Sequence, residues 1–227
     1  MDLPSAAIQT LVSIGAWPHV LEAMTTSIPP TPGSVIEFWF GELDSDGLAS
    51  PELSKRWWQK EAAFDDVIRS RFAALRDQLL AGEHGQWLEA PSSRLAAIIV
   101  LDQFSRNMYR DTPEMLASDA AALRLTEDGV ARGQDRELKT DPRVFFYMPL
   151  MHQESLAAQE RCVDLFQSFR DELSGRPRAR VEQNLKYAIA HRDIVAKFGR
   201  FPHRNTILGR TSTPSEVEFL RQPGSSF

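Results

Sequence analysis

The chain has 227 residues, of which 42% are hydrophobic and 25% charged, an ordinary composition for a folded globular protein that can bury a full core. Its formal net charge of -5 at pH 7 argues against a general nucleic-acid-binding protein, because such proteins rely on an excess of Lys and Arg facing phosphates. The single cysteine, Cys162, excludes an internal disulfide and a thiolate metal cluster.

The N-terminal region differs from the rest of the chain. Residues 1–26 carry only a weak amphipathic pattern, and three prolines within residues 27–34 interrupt it, because proline fixes φ and removes a backbone donor. We expect residues 1–33 to form an extension, as a helix or mobile tail with a Pro-rich linker, and residues 34–227 to form a single domain.

The domain is predicted to consist of successive helices. Ser34 is the predicted N-cap of the first helix, and apolar residues at helical spacing over 64–79 predict another helix that stops at Gly82. Pro91 opens a helix whose residues 95–101 are apolar on every face, which predicts an enclosed position. Further helical patterns cover residues 113–132, 142–151, 155–173 and 178–198, with a short capped helix from 214.

Alternating strand patterns are missing from this sequence. We therefore expect an all-α fold of packed antiparallel helical hairpins, without a sheet. The longest apolar runs, 95–101 and 144–151, are far below the roughly 20 residues of a membrane-spanning helix. The first Lys or Arg is Lys55, so the chain starts without the basic segment of a secretory signal peptide. These features predict a cytoplasmic protein without membrane contact.

Polar residues follow the first apolar run. Asp102 and Arg106 are four residues apart and share a helix face. Charged groups at the end of an enclosed helix have to be paired, because burial of an unpaired polar group is unfavourable. We interpret Asp102 as an internal ion-pair partner of Arg106. Arg106 and Asn107 fit two roles equally, an internal structural one or the polar floor of a pocket.

The second apolar run leads into His152 and Glu154. These residues are two apart and would not face the same way on a regular helix, but a break after Pro149 would bring both into one cleft. Neither an HExxH nor an ExxH arrangement occurs, so we expect no metal site. The chain also lacks a Gly-x-Ser-x-Gly elbow, a Walker loop and a dinucleotide fingerprint, so we expect no cofactor.

A third polar group lies near the end of the chain. Residues 194–215 include four Lys or Arg and no Asp or Glu, although the protein is acidic overall. Gly199 fits a helix C-cap, and the polar residues beyond it are Arg200, His203, Arg204 and Asn205. Guanidinium groups suit carboxylates and phosphates, although cations near a helix end also bond its terminal carbonyls. His191 shares a helix face with apolar residues, so we interpret it as a core histidine, with ligand binding as the alternative.

Several motifs together resemble one family. They are Val35–Leu43, Leu101–Arg110, Phe145–Glu154, His191–Arg210 and Pro223–Phe227. Their order and length resemble the bacterial family called domain of unknown function 924 over about residues 34–227. The resemblance implies a tetratricopeptide-like all-α fold. It implies no activity and no catalytic residues, since the family has none assigned.

Three functional hypotheses follow from these residues. The first is a binding module for a small anionic or carboxylate ligand or an acidic peptide, because stacked helical hairpins form grooves that hold such partners. Its candidate ligand-binding residues are Arg106, Asn107, His152, Glu154, His191, Arg200, His203, Arg204 and Asn205.

The second hypothesis is an enzyme that acts on a small anionic substrate. His152 or His203 would then be the acid or base and Glu154 the orienting carboxylate. The third is a polar network with a purely structural role. Fold alone does not decide among the three, because one architecture hosts many functions.

Overall fold

The computed structural model describes residues 29–225. The predicted N-terminal helix or tail lies outside this range, so the division between residues 33 and 34 stays a prediction. From Thr31 onwards the chain belongs to one compact unit. Every regular element of the described range is a helix, which confirms the all-α fold class. The finer, tetratricopeptide-like description stays a prediction.

The helices follow one another with short connections. The α-helices are α1 (Pro32–Phe40), α2 (Pro51–Arg56), α3 (Ala62–Leu80), α4 (Pro91–Ile98), α5 (Ser105–Met108), α6 (Asp119–Ala131), α7 (Thr140–Met151), α8 (Leu156–Asp171), α9 (Gly175–Phe198) and α10 (Pro214–Leu220). A π-helical segment, Ile99–Phe104, joins α4 directly to α5. Short 3₁₀ helices lie at Gly85–Leu88, Pro113–Leu116, Gln134–Glu137 and Pro202–Arg204.

The two apolar runs form the centre of the core. All residues of 95–101 and 144–151 are buried, as predicted from their lack of a polar face. α1 packs against α4, α3 against the π-helical segment and α5, and α7, α8 and α9 pack on one another. Edge-to-face contacts of Phe145 with Trp39 and Trp57 tie α7 to the N-terminal helices.

Among the predicted helix starts that differ from the observed ones, two have a clear physical reason. α1 begins at Pro32 with Thr31 as its N-cap, and Ser34 is instead the third helical residue of a capping box, in which it bonds back to the Thr31 amide at 2.9 Å. The predicted helix over 113–132 is divided, and α6 begins only at Asp119. The Ser118 hydroxyl bonds the Leu101 carbonyl and the Ser105 hydroxyl, so tertiary contacts fix this start.

Gly129 allows α6 to approach its neighbours closely. A Cβ at this position would lie 2.7 Å from Cδ of Arg94 and even closer to the Phe146 ring, and both of these side chains are fully buried. We expect Gly129→Ala to lower the free energy of unfolding by about 1–3 kcal/mol through overpacking, despite the higher helix propensity of alanine. Urea denaturation measures this change.

Gly33→Ala in α1 is the matched control. A Cβ there has its nearest neighbour at 3.8 Å, so we expect unchanged or slightly higher stability. A Gly129→Ala protein at least as stable as the wild type would contradict the close packing of α6.

Candidate functional site

The π-helical segment carries the first polar residue of the site. Its backbone hydrogen bonds span five residues instead of the four of an α-helix, and such insertions often lie at functional sites. Three of its carbonyls accept bonds from side chains, Val100 from the Ser105 hydroxyl at 3.4 Å, Leu101 from the Ser118 hydroxyl at 2.5 Å and Asp102 from the Arg106 guanidinium at 2.8 Å. The Asp102 side chain points inward and is only 1% exposed.

Asp102 is a buried carboxylate with three donors. His152 Nδ1 lies 2.8 Å and Arg106 Nη1 3.0 Å from its Oδ1, and the Gln103 amide donates to its Oδ2 at 2.6 Å. Burial by itself raises the pKa of Asp102, but the Arg106 charge and His152 outweigh it and hold the pKa well below its ordinary value. Asp102 is therefore ionised and can only accept, so His152 Nδ1 carries the proton of their hydrogen bond.

His152 follows the last residue of α7 and is neutral at pH 7. Its burial and the nearby Arg106 charge lower its pKa, against the opposing influence of Asp102. With a proton on Nδ1, the other ring nitrogen, Nε2, has a free lone pair. No residue within 29–225 forms a hydrogen bond with Nε2, and the side chain is 16% exposed.

Three of the predicted ligand-binding residues surround one aromatic ring, and a fourth lies beside them. We call this group the Phe201 cluster: Phe201, His152, His191, His203 and Arg204. The rings of His191 and His203 lie 5.5 and 5.6 Å from the fully buried Phe201 ring, and the Arg204 guanidinium lies 4.5 Å above it. His152 adjoins His191 at 6.5 Å between ring centroids.

Arg204 is a nearly buried cation with weak compensation. Its Nη1 donates to the His152 carbonyl at 2.9 Å, but its nearest carboxylate, Asp119, is 3.8 Å away and already bound by Arg106 at 2.8 and 3.0 Å. Burial and the Arg106 charge lower the pKa of Arg204 to about 10. Its Nε and Nη2 have no hydrogen-bond partner in the part of the chain that the structure describes.

Glu154 fastens the loop that carries the Phe201 cluster. It accepts from the Phe201 amide at 2.9 Å and from the Arg210 guanidinium at 2.5 and 2.8 Å. α7 continues through Pro149 to Met151, the predicted end of this helix, so the chain does not break directly after Pro149. The chain turns after Met151, so His152 and Glu154 both reach residues 201–210 from a non-helical turn.

The other predicted ligand-binding residues have partners within the protein. Arg200 forms a bidentate pair with Glu216 at 2.7 and 2.8 Å, because α10 brings back the first acid after the acid-free stretch. Asn107 donates to Asp65 at 2.7 Å, outside the Phe201 cluster. Asn205 donates to the Ser212 hydroxyl and accepts from Arg210, each at 3.0 Å.

Three residues of the site were not predicted for these roles. Asp102 pairs with Arg106 as expected, but its bond to His152 was not foreseen. Asp119, which binds Arg106, and Phe201, which organises the ring contacts, were not singled out as site residues. Only Asp102 carries a local signal, a charge directly after an apolar run, since the other contacts depend on how distant helices pack.

Three further observations apply to the described residues, 29–225. No three side chains among their His, Cys, Asp and Glu residues are arranged to hold a metal ion. None of their helices combines the length and apolar character needed to cross a membrane. The lining of a mainly apolar groove at the end of α3 includes Leu79, Leu80, Leu88 and Leu125 and no residue of the Phe201 cluster.

Comparisons with known proteins point to one family. Residues 35–224 match the model of DUF924, a bacterial protein family of unknown function. A solved structure of a protein of unknown function from Agrobacterium tumefaciens is similar, with 39% identity and a TM-score of 0.71. The match covers 83% of this chain and 96% of that one. Among curated proteins, none matches.

The buried histidines predict a pH-dependent stability. Burial lowers the pKa of His191 to about 3 and that of His203 to about 4, whereas an unfolded histidine titrates near about 6.5. Between these values the unfolded chain binds more protons, so acid favours unfolding. From pH 6.5 to about 4 we expect each histidine to remove up to about 1.4 kcal/mol of stability per pH unit.

Urea denaturation across this pH range checks the expectation. His191→Gln and His203→Gln should each flatten the dependence of the unfolding free energy on pH. His84→Gln, near the surface beside Gln78, is the matched control and should leave the slope unchanged. If the unfolding free energy depends on pH with the same slope in all three variants and the wild type, this pH dependence does not come from His191 and His203.

Proposed function

We propose that this chain, which belongs to the bacterial protein family DUF924, binds a small carboxylate or another small oxyanion at Arg204. A single observation carries the proposal. The Arg204 guanidinium is 11% exposed, yet its nearest carboxylate is 3.8 Å away and is shared with a second arginine. Buried charges in proteins are normally paired, so this cation favours an anion from outside.

The free donors of Arg204 match the shape of an oxyanion. A guanidinium presents its N–H groups as a planar fork that binds two oxygens of a carboxylate or phosphate at once. Within the described residues only Nη1 is used, by the His152 carbonyl. The Phe201 ring lies 4.5 Å from the guanidinium and restricts its orientation.

The neighbouring imidazoles make the site favourable for a small anion. Burial lowers the pKa values of His152, His191 and His203, so at pH 7 all three rings are neutral. A neutral imidazole offers polarity without a competing charge. An acidic peptide would present the same carboxylate group, at its C terminus or on a side chain.

This proposed site is narrower than the set of candidates from the sequence. Arg106 and Arg200 each hold a carboxylate of the protein with two bonds, and their guanidinium groups are thereby engaged. Asn107 and Asn205 are likewise hydrogen-bonded within the fold. The ligand contacts are therefore proposed for Arg204 with His152, His191 and His203.

The bonds that Arg106, Arg200, Asn107 and Asn205 form within the protein also support the alternative of a purely structural polar network. If Arg204 serves only to join the loop to the end of α7, its removal lowers the melting temperature and changes no binding event. If Arg204 holds an anion, its removal abolishes an affinity. Binding measurements on folded variants separate the two functions.

Isothermal titration calorimetry with acetate, succinate and inorganic phosphate tests the proposal. We expect the wild type to bind at least one of them, and Arg204→Gln to weaken this binding tenfold or more, since hydrogen bonds to charged groups contribute about 1.5–3 kcal/mol. Arg192→Gln is the matched control. It removes the same charge from α9, where Arg192 pairs with Asp193, and should bind like the wild type.

Arg200→Gln tests the wider site predicted from the sequence. Unchanged affinity would restrict the ligand contacts to the Phe201 cluster. The proposal is wrong if the wild type binds none of the three anions, or if folded Arg204→Gln binds them unchanged.

A further inference from the structure

We infer that the Phe201 cluster is a hydrolytic site, in which His152 is the general base that activates water against an acyl bond of a small carboxylate-bearing substrate. Asp102 is the positioning residue for His152, and Arg204 anchors the substrate's carboxylate. The inference rests on the proposed anion site at Arg204. It adds a chemical step to that site and a class of substrate.

The first support is the fixed orientation of the His152 ring. Asp102 accepts the Nδ1 proton at 2.8 Å, and this carboxylate is itself held by Arg106 and Gln103. A buried carboxylate on Nδ1 sets the tautomer that leaves Nε2 free to accept a proton. It also stabilises the imidazolium that forms when Nε2 takes that proton.

The second support is the position of the free ring nitrogen. The His152 side chain keeps 16% of its exposure, and Nε2 has no partner among residues 29–225. Arg204 bonds the backbone carbonyl of the same residue at 2.9 Å. A carboxylate bound to the remaining Arg204 donors would therefore lie beside the base, as proximity catalysis requires.

The third support identifies water as the nucleophile. The hydroxyls of Ser105 and Ser118, which lie against the π-helical segment, are engaged, since Ser118 bonds the Leu101 carbonyl and Ser105, and Ser105 bonds the Val100 carbonyl. The Cys162 thiol is fully buried, and burial raises its pKa far above neutrality. Because these two hydroxyls and the thiol are engaged or buried, we infer that water is the nucleophile.

The proposed step balances in protons and bonds. His152 Nε2 takes one proton from water while the water oxygen forms a bond to the acyl carbon. The bond from that carbon to the leaving oxygen then breaks, and the imidazolium returns the proton to the leaving oxygen. One water is consumed, and a carboxylic acid and an alcohol are released. Asp102 stays ionised throughout, and Arg204 holds the second carboxylate of the substrate.

Two 4-nitrophenyl esters test the inference with the full chain. Mono(4-nitrophenyl) glutarate carries a free carboxylate for Arg204, and 4-nitrophenyl acetate does not. After subtraction of the uncatalysed rates, we expect the wild type to hydrolyse the glutarate ester at least tenfold faster in kcat/KM. Arg204→Gln should remove this preference, whereas the charge control Arg192→Gln should keep it.

His152 and Asp102 variants test the roles of the base and its positioning residue. We expect His152→Gln to lower kcat for the glutarate ester at least 100-fold, which is typical for loss of a general base. Asp102→Asn should lower kcat at least tenfold, with little change in KM. His152→Gly should regain activity when free imidazole is added, a result that a purely structural role of His152 would not give.

Anion binding by the wild type and circular dichroism of the variants separate the possible failures. If the wild type binds one of the three anions and the variants are folded, but the glutarate ester is not preferred or imidazole does not rescue His152→Gly, the hydrolytic inference is overturned and the anion site stands. If the wild type binds none of acetate, succinate and phosphate, both proposals fail. If circular dichroism shows that Asp102→Asn is misfolded, the two His152 variants decide the test.

Discussion

The burial of the Asp102 charge is the constraint on which the site depends. A carboxylate in the protein interior is tolerated only when donors surround it, and Asp102 draws Arg106 and His152 to itself. Arg106 in turn binds Asp119 at the start of α6, and the His152 carbonyl binds Arg204 of the distant loop. One negative charge thus fixes how the end of α7, the start of α6 and the last loop meet. Charges alternate along the series Asp102, Arg106, Asp119 and Arg204, and its last member, Arg204, has the weakest compensation.

The helices could be predicted from the sequence because their signals are local. Apolar spacing, prolines at helix starts and Gly199 at a helix end each act within a few residues, and the enclosed runs lack any polar face. The π-helical segment could not be predicted from the sequence. A run that is apolar on all sides has no polar face, so an inserted residue does not change its pattern. The start of α6 was misplaced because contacts of Ser118 with Leu101 and Ser105, on the other side of a turn, determine it.

The site was predictable only where its contacts are local. Asp102 and Arg106, one helical turn apart, could be paired from spacing alone. His152 and Asp102 are 50 residues apart in the chain, and Arg204 and His152 are 52 apart. Local sequence spacing therefore predicts neither contact. The acid-free stretch after α9 correctly drew attention to Arg204. It did not show that Arg200 meets Glu216, since that contact requires α10 to fold back. Membership of the family indicates the fold, whereas the proposed chemistry is inferred from these contacts.

The double attachment of Glu154 has a consequence for how the loop can change. One carboxylate holds both the Phe201 amide and the Arg210 side chain, so the two ends of the loop are tied to the same point. Between them, Thr206, Leu208 and Gly209 are exposed at the tip. Extra residues inserted at such a tip add mainly loop-closure entropy, which grows slowly with length. Related chains can therefore carry a longer tip or other residues at the tip. A fluorophore can likewise be attached there, while the aromatic and imidazole rings below keep their positions.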